Sequence, residues 1–511
     1  GRARRRRARP AGAALTGAPP PHEPGPAAPG RFEEVARRRP VDLVAPGAVQ
    51  VDRADLGGSS RHPLPQPAPC VAVEAELRGT GPVRLRLGDD TLSVSAVHAD
   101  GACFLEVTTT VGTPSSPAPR TSRHRSRRSA RAEGLHRMAL TITGTEAVVL
   151  GDDGSGWRAH GRVDLREVGD RGRAAGLCRD ETWLAGLEVE HTGDVARLRA
   201  GGFGQLGLRD LRLLTHADGT AYADGPGEEG RVLWLSATSA GPGFFGTAHT
   251  SVWRLELDGY RLEHRADLFF RRPGRPGVFG DHATHVVRDG DAWLVATSTW
   301  GDFDHRRDDA GVEVTLARTD ADLLHGRHVL DTEPLPLPVD TLASVGVWDP
   351  HLVRTDLGQG PVWLVGYVSA REFFDFHPVL AEGPGLDRLS LRAALTSRRA
   401  TEGTTLVRWD GRWRVLASDG RDNPRRHRAQ YPVLDLDLRP DGAPLDAAYP
   451  TNIPWPTLAP LPDGGWLLLT FNGRGVGGRV VGYGSHGDLV VLRAPAAAGA
   501  GAEDTAADPA S

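Results

Sequence analysis

The chain has 511 residues, a formal net charge of −4, 39% hydrophobic and 25% charged residues, a length beyond one ordinary core that suits two folded domains with tails. Interspersed arginines and carboxylates exclude the basic face of a nucleic-acid binder. All 61 basic residues are arginine, which excludes a Schiff-base lysine and a Walker-type phosphate loop.

Residues 1–44 are rich in Arg, Pro and Gly with few apolar anchors, and are expected to be disordered. The opening Gly1-Arg-Ala-Arg-Arg-Arg-Arg-Ala-Arg-Pro resembles the charged end of an export signal, but the apolar stretch after it is too short. Residues 45–202 hold short alternating runs, among them Val71-Ala-Val-Glu-Ala-Glu-Leu, Leu92-Ser-Val-Ser-Ala-Val and Met138-Ala-Leu-Thr-Ile-Thr. Period-two alternation with a polar outer face predicts antiparallel sheets stacked as a β-sandwich, similar to a jelly-roll or laminin-type module. An arginine-rich stretch from Pro117 to Arg131 reads as a basic surface loop, either plainly solvated or in contact with an anionic polymer. Cys70, Cys103 and Cys178 form no CxxC pair; one disulfide and one spare thiol would account for them. No apolar run is long enough to span a bilayer.

From residue 203 to 494 one phrase recurs five times: a polar or acidic residue, then a tight turn, then a Trp opening a β-branched strand. The Trp-led strands begin at Trp234, Trp293, Trp363, Trp413 and Trp466, and the turns include Asp218-Gly219, Asp289-Gly290, Asp410-Gly411 and Asp463-Gly464. Five similar hairpins at this spacing predict a five-bladed β-propeller with inner strands around a channel. The expected blades run from about 204–272, 277–335, 345–394, 401–438 and 453–493, and the tail 495–511 is expected to be disordered. The recurring Trp residues read as packing between blades. The whole chain is expected to be all-β.

The residues opening the repeats are Asp210, Asp281, Asp349, Glu402 and Thr457. Four carboxylates would then point toward one axis. Glycosidic hydrolysis needs an acid to protonate the leaving oxygen and a carboxylate opposite it to activate water or attack the sugar. Acids on separate inner strands face one another at separations set by the scaffold, and crowding raises the proton affinity of at least one.

With Asp210 in the first repeat, Asp349-Pro350 in the third and Glu402-Gly403 in the fourth, the last 290 residues or so resemble the five-bladed glycoside hydrolases of families 43 and 62 and, more distantly, the invertase and levansucrase families. The resemblance implies Asp210 as base or nucleophile, Asp349 as pKa modulator and Glu402 as general acid. It implies furanoside or pentoside substrates of the arabinan or arabinoxylan type, inversion of configuration, and no required cofactor. It departs from the family at Arg209-Asp210-Leu211, where Asp-Pro is usual, and at Thr457, where a metal-associated His is frequent. The residues alone leave Asp210 and Asp281 open as the base.

Sugar sites add aromatic platforms and hydrogen-bonding side chains to the acids. The candidates for substrate binding are Asp281, His282, Trp300, Trp348, His351, Phe245, His249, Phe374, Arg421 and Trp455, with Phe244 and Phe373 beside them. No metal site is expected at the acids in the hydrolase reading. The rivals are a non-catalytic glycan- or wall-binding propeller whose acids could hold a structural calcium, and an interaction scaffold using the arginine-rich loop. The expected partner is a polysaccharide or oligosaccharide, with no nucleic acid and no membrane span. A glycan substrate would place the chain outside the cell or at its wall.

Overall fold

The computed structural model describes residues 26–113, 116–126, 131–169, 172–304, 306–307, 310–473 and 487–496. It is all-β apart from two short helices, Arg173–Arg179 and Glu181–Ala185, and four 3-10 turns.

The first part holds two six-stranded sheets. One contains Asp42–Leu56, Cys70–Leu77, Arg137–Thr143, Glu146–Asp152, Arg158–Asp164 and Val195–Gln205; the other contains Ser59–Pro63, Val83–Gly88, Leu92–Ala99, Ala102–Thr113, Ser116–His124 and Glu188–Thr192. Their alternate apolar residues meet in one core, in which Val71, Val73 and Leu140 of the first sheet share contacts with Leu85, Val94 and Leu105 of the second. The stretch expected as a basic loop is in its first part the edge strand Ser116–His124, paired along Ala102–Thr113. Pro117 and Pro119 suit an edge, where a missing N–H costs no ladder bond. Residues 127–130 of that stretch lie outside the described residues. No disulfide forms: Cys70, Cys103 and Cys178 are free and buried.

Five further sheets follow. The strands of these sheets that pair with the Trp-led strands on their N-terminal side are Leu208–Leu213, His282–Asp289, Gly346–Asp356, Thr401–Trp409 and Thr457–Pro460. Each pairs antiparallel with the next strand in its own sheet, and each of the five Trp-led strands is that second strand. Trp234, Trp293, Trp363 and Trp466 are buried in clusters that join sheets, as expected of packing residues, and Trp413 is half-buried. The sheet limits differ from the repeat limits in three places, the first being Thr215–His216, which joins the second of these sheets in parallel with His282–Asp289. Arg275–Phe279 is the outermost strand of the first of these sheets, and Gly326–Asp331 joins the same sheet in parallel with Arg261–Arg272.

The expectation of disorder for residues 1–44 is corrected over its second part. Glu33–Arg38 pairs antiparallel with Asp488–Ala494 and completes the fifth sheet, and Asp42–Leu56 belongs to the first six-stranded sheet. Phe32 and Ala36 supply the apolar anchors, buried against Trp466, Leu489 and Val491. Residues 1–25 and 497–511 lie outside the described residues.

The two parts pack firmly on each other. Leu43, Cys70, Trp157 and Phe203 from the first share a cluster with Phe269 and Val278 of the second, and Arg327 donates to Gln66 Oε1 (2.6 Å) and Cys70 O (3.0 Å).

Candidate active site

Four of the five strands that precede the Trp-led strands carry the same irregularity. Pairing slips between Arg209 and Arg212, His282 and His285, Trp348 and His351, and Glu402 and Thr405. In each bulge the second residue is left-handed: Asp210 (φ 52°), Ala283 (61°), Asp349 (60°) and Gly403 (72°). That conformation costs a residue bearing a β-carbon roughly 1–2 kcal/mol, least for Asp and Asn, and bulges re-aim side chains near active sites. The equivalent pairs are therefore Arg209-Asp210, His282-Ala283, Trp348-Asp349 and Glu402-Gly403. Asp281 falls one residue before this register.

The three acids of the first, third and fourth sheets act on one another. Gly403 N–H donates to Asp349 Oδ2 at 3.4 Å, tying the third sheet to the fourth. Asp349 is 2% exposed; burial holds its pKa well above the usual carboxylate value, and the charges of Glu402 and Asp210 push the same way against Arg212 and the Gly403 N–H. Glu402 is half-buried at the bulge, and its pKa is raised to about 7 by burial, with Asp210 adding to the rise. Arg209 and the indole N–H groups of Trp455 and Trp348 pull in the opposite direction. The Trp455 indole lies 3.4 Å from Glu402 Oε1. Its ring closes against Gly403, where a β-carbon would approach to 2.7 Å, so Gly serves here both for its φ and for this contact. Asp210 is nearly buried and accepts from Arg209 Nε through both oxygens, at 2.9 and 3.0 Å.

Beneath the acids lie the residues that end the bulges. Arg212 is fully buried, donates to Thr405 Oγ1 (3.1 Å) and Asp349 O (3.0 Å), and lies over the Trp455 ring at 4.5 Å. Burial lowers its pKa to about 10, offset in part by Asp349 and Asp210, so it stays cationic at neutral pH. His285 and His351 stack at 4.2 Å. Each accepts a backbone N–H at Nδ1, from Leu352 (3.0 Å) and Leu406 (3.4 Å), and burial holds both rings neutral.

The pairings Leu208 with Ser239, His282 with Ser298, Gly346 with Ala370 and Thr401 with Asp419 put the loops after these second strands at the acid end. There Phe245 stacks on Trp300 (4.7 Å), Trp300 packs on Trp348 (5.2 Å), and Phe303 joins Phe245 (5.5 Å) to Phe373 (4.7 Å). Phe244 and Phe374 stand 56% and 76% exposed on this rim. The first part of the chain abuts the same loops. Gly144 packs so closely on the Gly246 carbonyl that a β-carbon would collide, Arg179 donates to Gly301 O (3.3 Å), and Arg166 pairs with Asp304 (3.3 Å).

The structure thus brings Asp210, Asp349, Glu402, Trp348 and Trp455 together. His282 stands near enough to Asp210 to feel its charge, and burial lowers its pKa to about 4. Trp300, Phe245 and Phe374 lie on the aromatic rim, and Arg421 is exposed on the loop after Arg412–Asp419, at the acid end. Three expectations are corrected. Asp281 is fully buried and bound by Arg272, with Oδ2 2.7 Å from Arg272 Nε and Oδ1 taking the Gly301 N–H (2.9 Å), so it offers nothing to a ligand. His249 is buried against Asp267 (3.0 Å), which His264 also reaches (2.8 Å). His351 belongs to the layer below the acids.

Sequence reasoning missed Arg209 and Arg212. Arg212 had a signal: a charged residue in the apolar strand Leu211-Arg212-Leu213-Leu214 must meet an opposite charge if it is buried. Among the described residues no group of three or more His, Cys, Asp or Glu could hold a metal ion, and no helix is long and apolar enough to cross a membrane.

No protein-family model matches the chain, and no curated protein matches it. Solved structures similar to it include a levansucrase from Gluconacetobacter diazotrophicus, with TM-score 0.39 and 14% identity over 56% of this chain and 77% of that one. The GH43_1 enzyme from Xanthomonas citri gives TM-score 0.38 and 13% identity over 57% of this chain and 89% of that one. A structure from the GH130 family of mannoside phosphorylases and glycoside hydrolases gives 0.34 and 10% over 57% and 86%. The structural neighbours are glycoside hydrolases and levansucrases; similarities at this level assign no chemistry to this chain.

Proposed function

We propose that the chain is a glycoside hydrolase in which the two N-terminal sheets form a sandwich and the five later sheets are the blades of a propeller, with catalysis at the acid end of its axis. The observation that supports the reading is the convergence of Asp210, Asp349 and Glu402 from three sheets at equivalent bulges, with Glu402 raised to about 7. An acid of that strength still carries a proton at neutral pH and is suited to protonate a leaving glycosidic oxygen. Asp210, held in orientation by Arg209, is the base that activates water. Asp349, whose pKa burial and the charges of the other two acids hold well above the usual carboxylate value, serves as a hydrogen-bonding partner for a substrate hydroxyl. The indoles of Trp348 and Trp455 border the acid, and the rim phenylalanines offer apolar faces to sugar rings.

The substrates we propose are furanosides or pentosides of arabinan or arabinoxylan type, outside the cell or at its wall, with inversion. A released-sugar screen on arabinans, arabinoxylans and fructans, with the anomer followed by NMR, tests this. Glu402→Gln should lose at least about 100-fold in hydrolysis while glycan affinity persists. Equal turnover by both proteins would remove Glu402 from the mechanism.

One observation favours the alternative, a non-catalytic glycan-binding propeller: both oxygens of Asp210 are already occupied by Arg209, which weakens a base. That reading gives glycan binding by parent and variant alike and no released sugar from either.

A further inference from the structure

At the other end of the strands that carry the bulges lies a cavity of about 580 Å³, within the range of small-molecule sites. Arginines from three sheets line it: Arg212 at its floor, Arg354 of Gly346–Asp356 and Arg408 of Thr401–Trp409. Most of the described arginines meet a carboxylate within 4 Å. These three form no ion pair among the described residues: Arg212 and Arg408 donate to neutral oxygens, the latter to Gly411 O at 3.3 Å, and Arg354 uses only its backbone N–H, toward Ala217 O. The two carboxylates in the wall are turned onto their own chain. Asp218 Oδ1 takes the N–H (2.9 Å) and hydroxyl (2.6 Å) of Thr220, and Asp356 Oδ1 takes the N–H groups of Gly358 (2.7 Å) and Gly360 (3.1 Å).

We infer that this cavity is a binding site for a small molecule bearing an oxyanion, a carboxylate or a phosphate, held by Arg354 and Arg408 and packed on Trp413. Guanidinium groups present paired N–H donors that fit either oxyanion, and they keep their charge at any ordinary pH. Arg212, whose charge is shared with Asp349 and Asp210 above it, sets the positive potential of the floor. The site lies across the Arg212, His285 and His351 layer from the acids, so its occupancy does not require that they hydrolyse anything.

Calorimetric titration of the full chain with inorganic phosphate, glucuronate and glucose tests the site. At least one anion should saturate while glucose does not. Saturation by phosphate alone identifies a phosphorylated ligand, and by glucuronate alone a carboxylated one. The double variant Arg354→Gln, Arg408→Gln should bind that anion about tenfold more weakly or worse with an unchanged melting temperature, and Glu402→Gln should bind it as the parent does. If the double variant fails to fold, the exposed Arg354→Gln alone should still weaken binding several-fold. Failure of both anions to saturate, equal binding of glucose, or equal affinity in the arginine variants would overturn the inference.

Discussion

Glu402 sits between opposing influences, and their balance can be moved one residue at a time. Burial and Asp210 keep its proton on; Arg209 favours the carboxylate. The alkaline limb of the hydrolysis profile should therefore fall near pH 7. In Arg209→Gln the carboxylate loses a stabilising charge, the proton is held to higher pH, and the limb should move alkaline. A profile of sugar release unmoved by that change would disconnect Arg209 from the acid. Arg212 answers to stability instead. Its removal leaves Asp349 O and Thr405 Oγ1 without their donor and the buried acids without their cation, so Arg212→Met should cost about 3 kcal/mol in urea unfolding. At this scale the sequence singled out Glu402, because Glu is a poor turn residue, and the family resemblance singled out Asp349 before Pro350. The sequence could not separate Asp210 from Asp281, because that choice depends on Arg272, which reaches Asp281 from the neighbouring sheet and has no local signature.

Among the elements, the four bulges place the chemistry, and alternation alone hides them. A regular strand would put Asp281 and His285 on one face; the slip between His282 and His285 breaks that rule and makes Ala283 the counterpart of Asp210 and Asp349. The Asp289-Gly290, Asp410-Gly411 and Asp463-Gly464 hairpins and the Trp-led strands are set by local turn chemistry and periodicity and stand where the repeats put them, whereas Asp218-Gly219 turns a separate segment ahead of Val232–Ser239. Asp267 joins Arg261–Arg272 to the strand His249–Glu256 through His249, and His264 of its own strand reaches the same carboxylate. Burial opposes a charge on His249, but Asp267 and the nearby Cys70 overcome it and raise the pKa to about 9. A raised imidazolium contributes its stability fully below the unfolded value near 6.5 and loses it as pH rises through about 9. Urea unfolding should therefore show a loss on the order of 3 kcal/mol between pH 6 and pH 9.5. Asp267→Asn should flatten that slope; an unchanged slope would place its origin elsewhere.

For the molecule as a whole, the fifth of the later sheets is completed by a strand from the early part of the chain. Glu33–Arg38 supplies the outer strand of the sheet that ends the chain, and Phe32 plugs the cluster around Trp466 and Tyr431. Phe32→Ala should cost about 3–5 kcal/mol in thermal or chemical unfolding, far more than a tail residue could. A cost under 1 kcal/mol would mean that the strand adds little to the sheet. This partner was not legible in the sequence, because a six-residue strand in a Pro- and Arg-rich segment has too few apolar residues to stand out; only pairing with Asp488–Ala494 reveals it. The central physical claim is that three carboxyl groups from separate sheets share one electrostatic environment. Titrating the Glu402 side-chain carboxyl by carbon NMR, in the parent and in Asp210→Asn, measures this directly. A midpoint near 7 that falls in Asp210→Asn agrees with the account; an ordinary glutamate midpoint near 4.5, the same in both proteins, would contradict it.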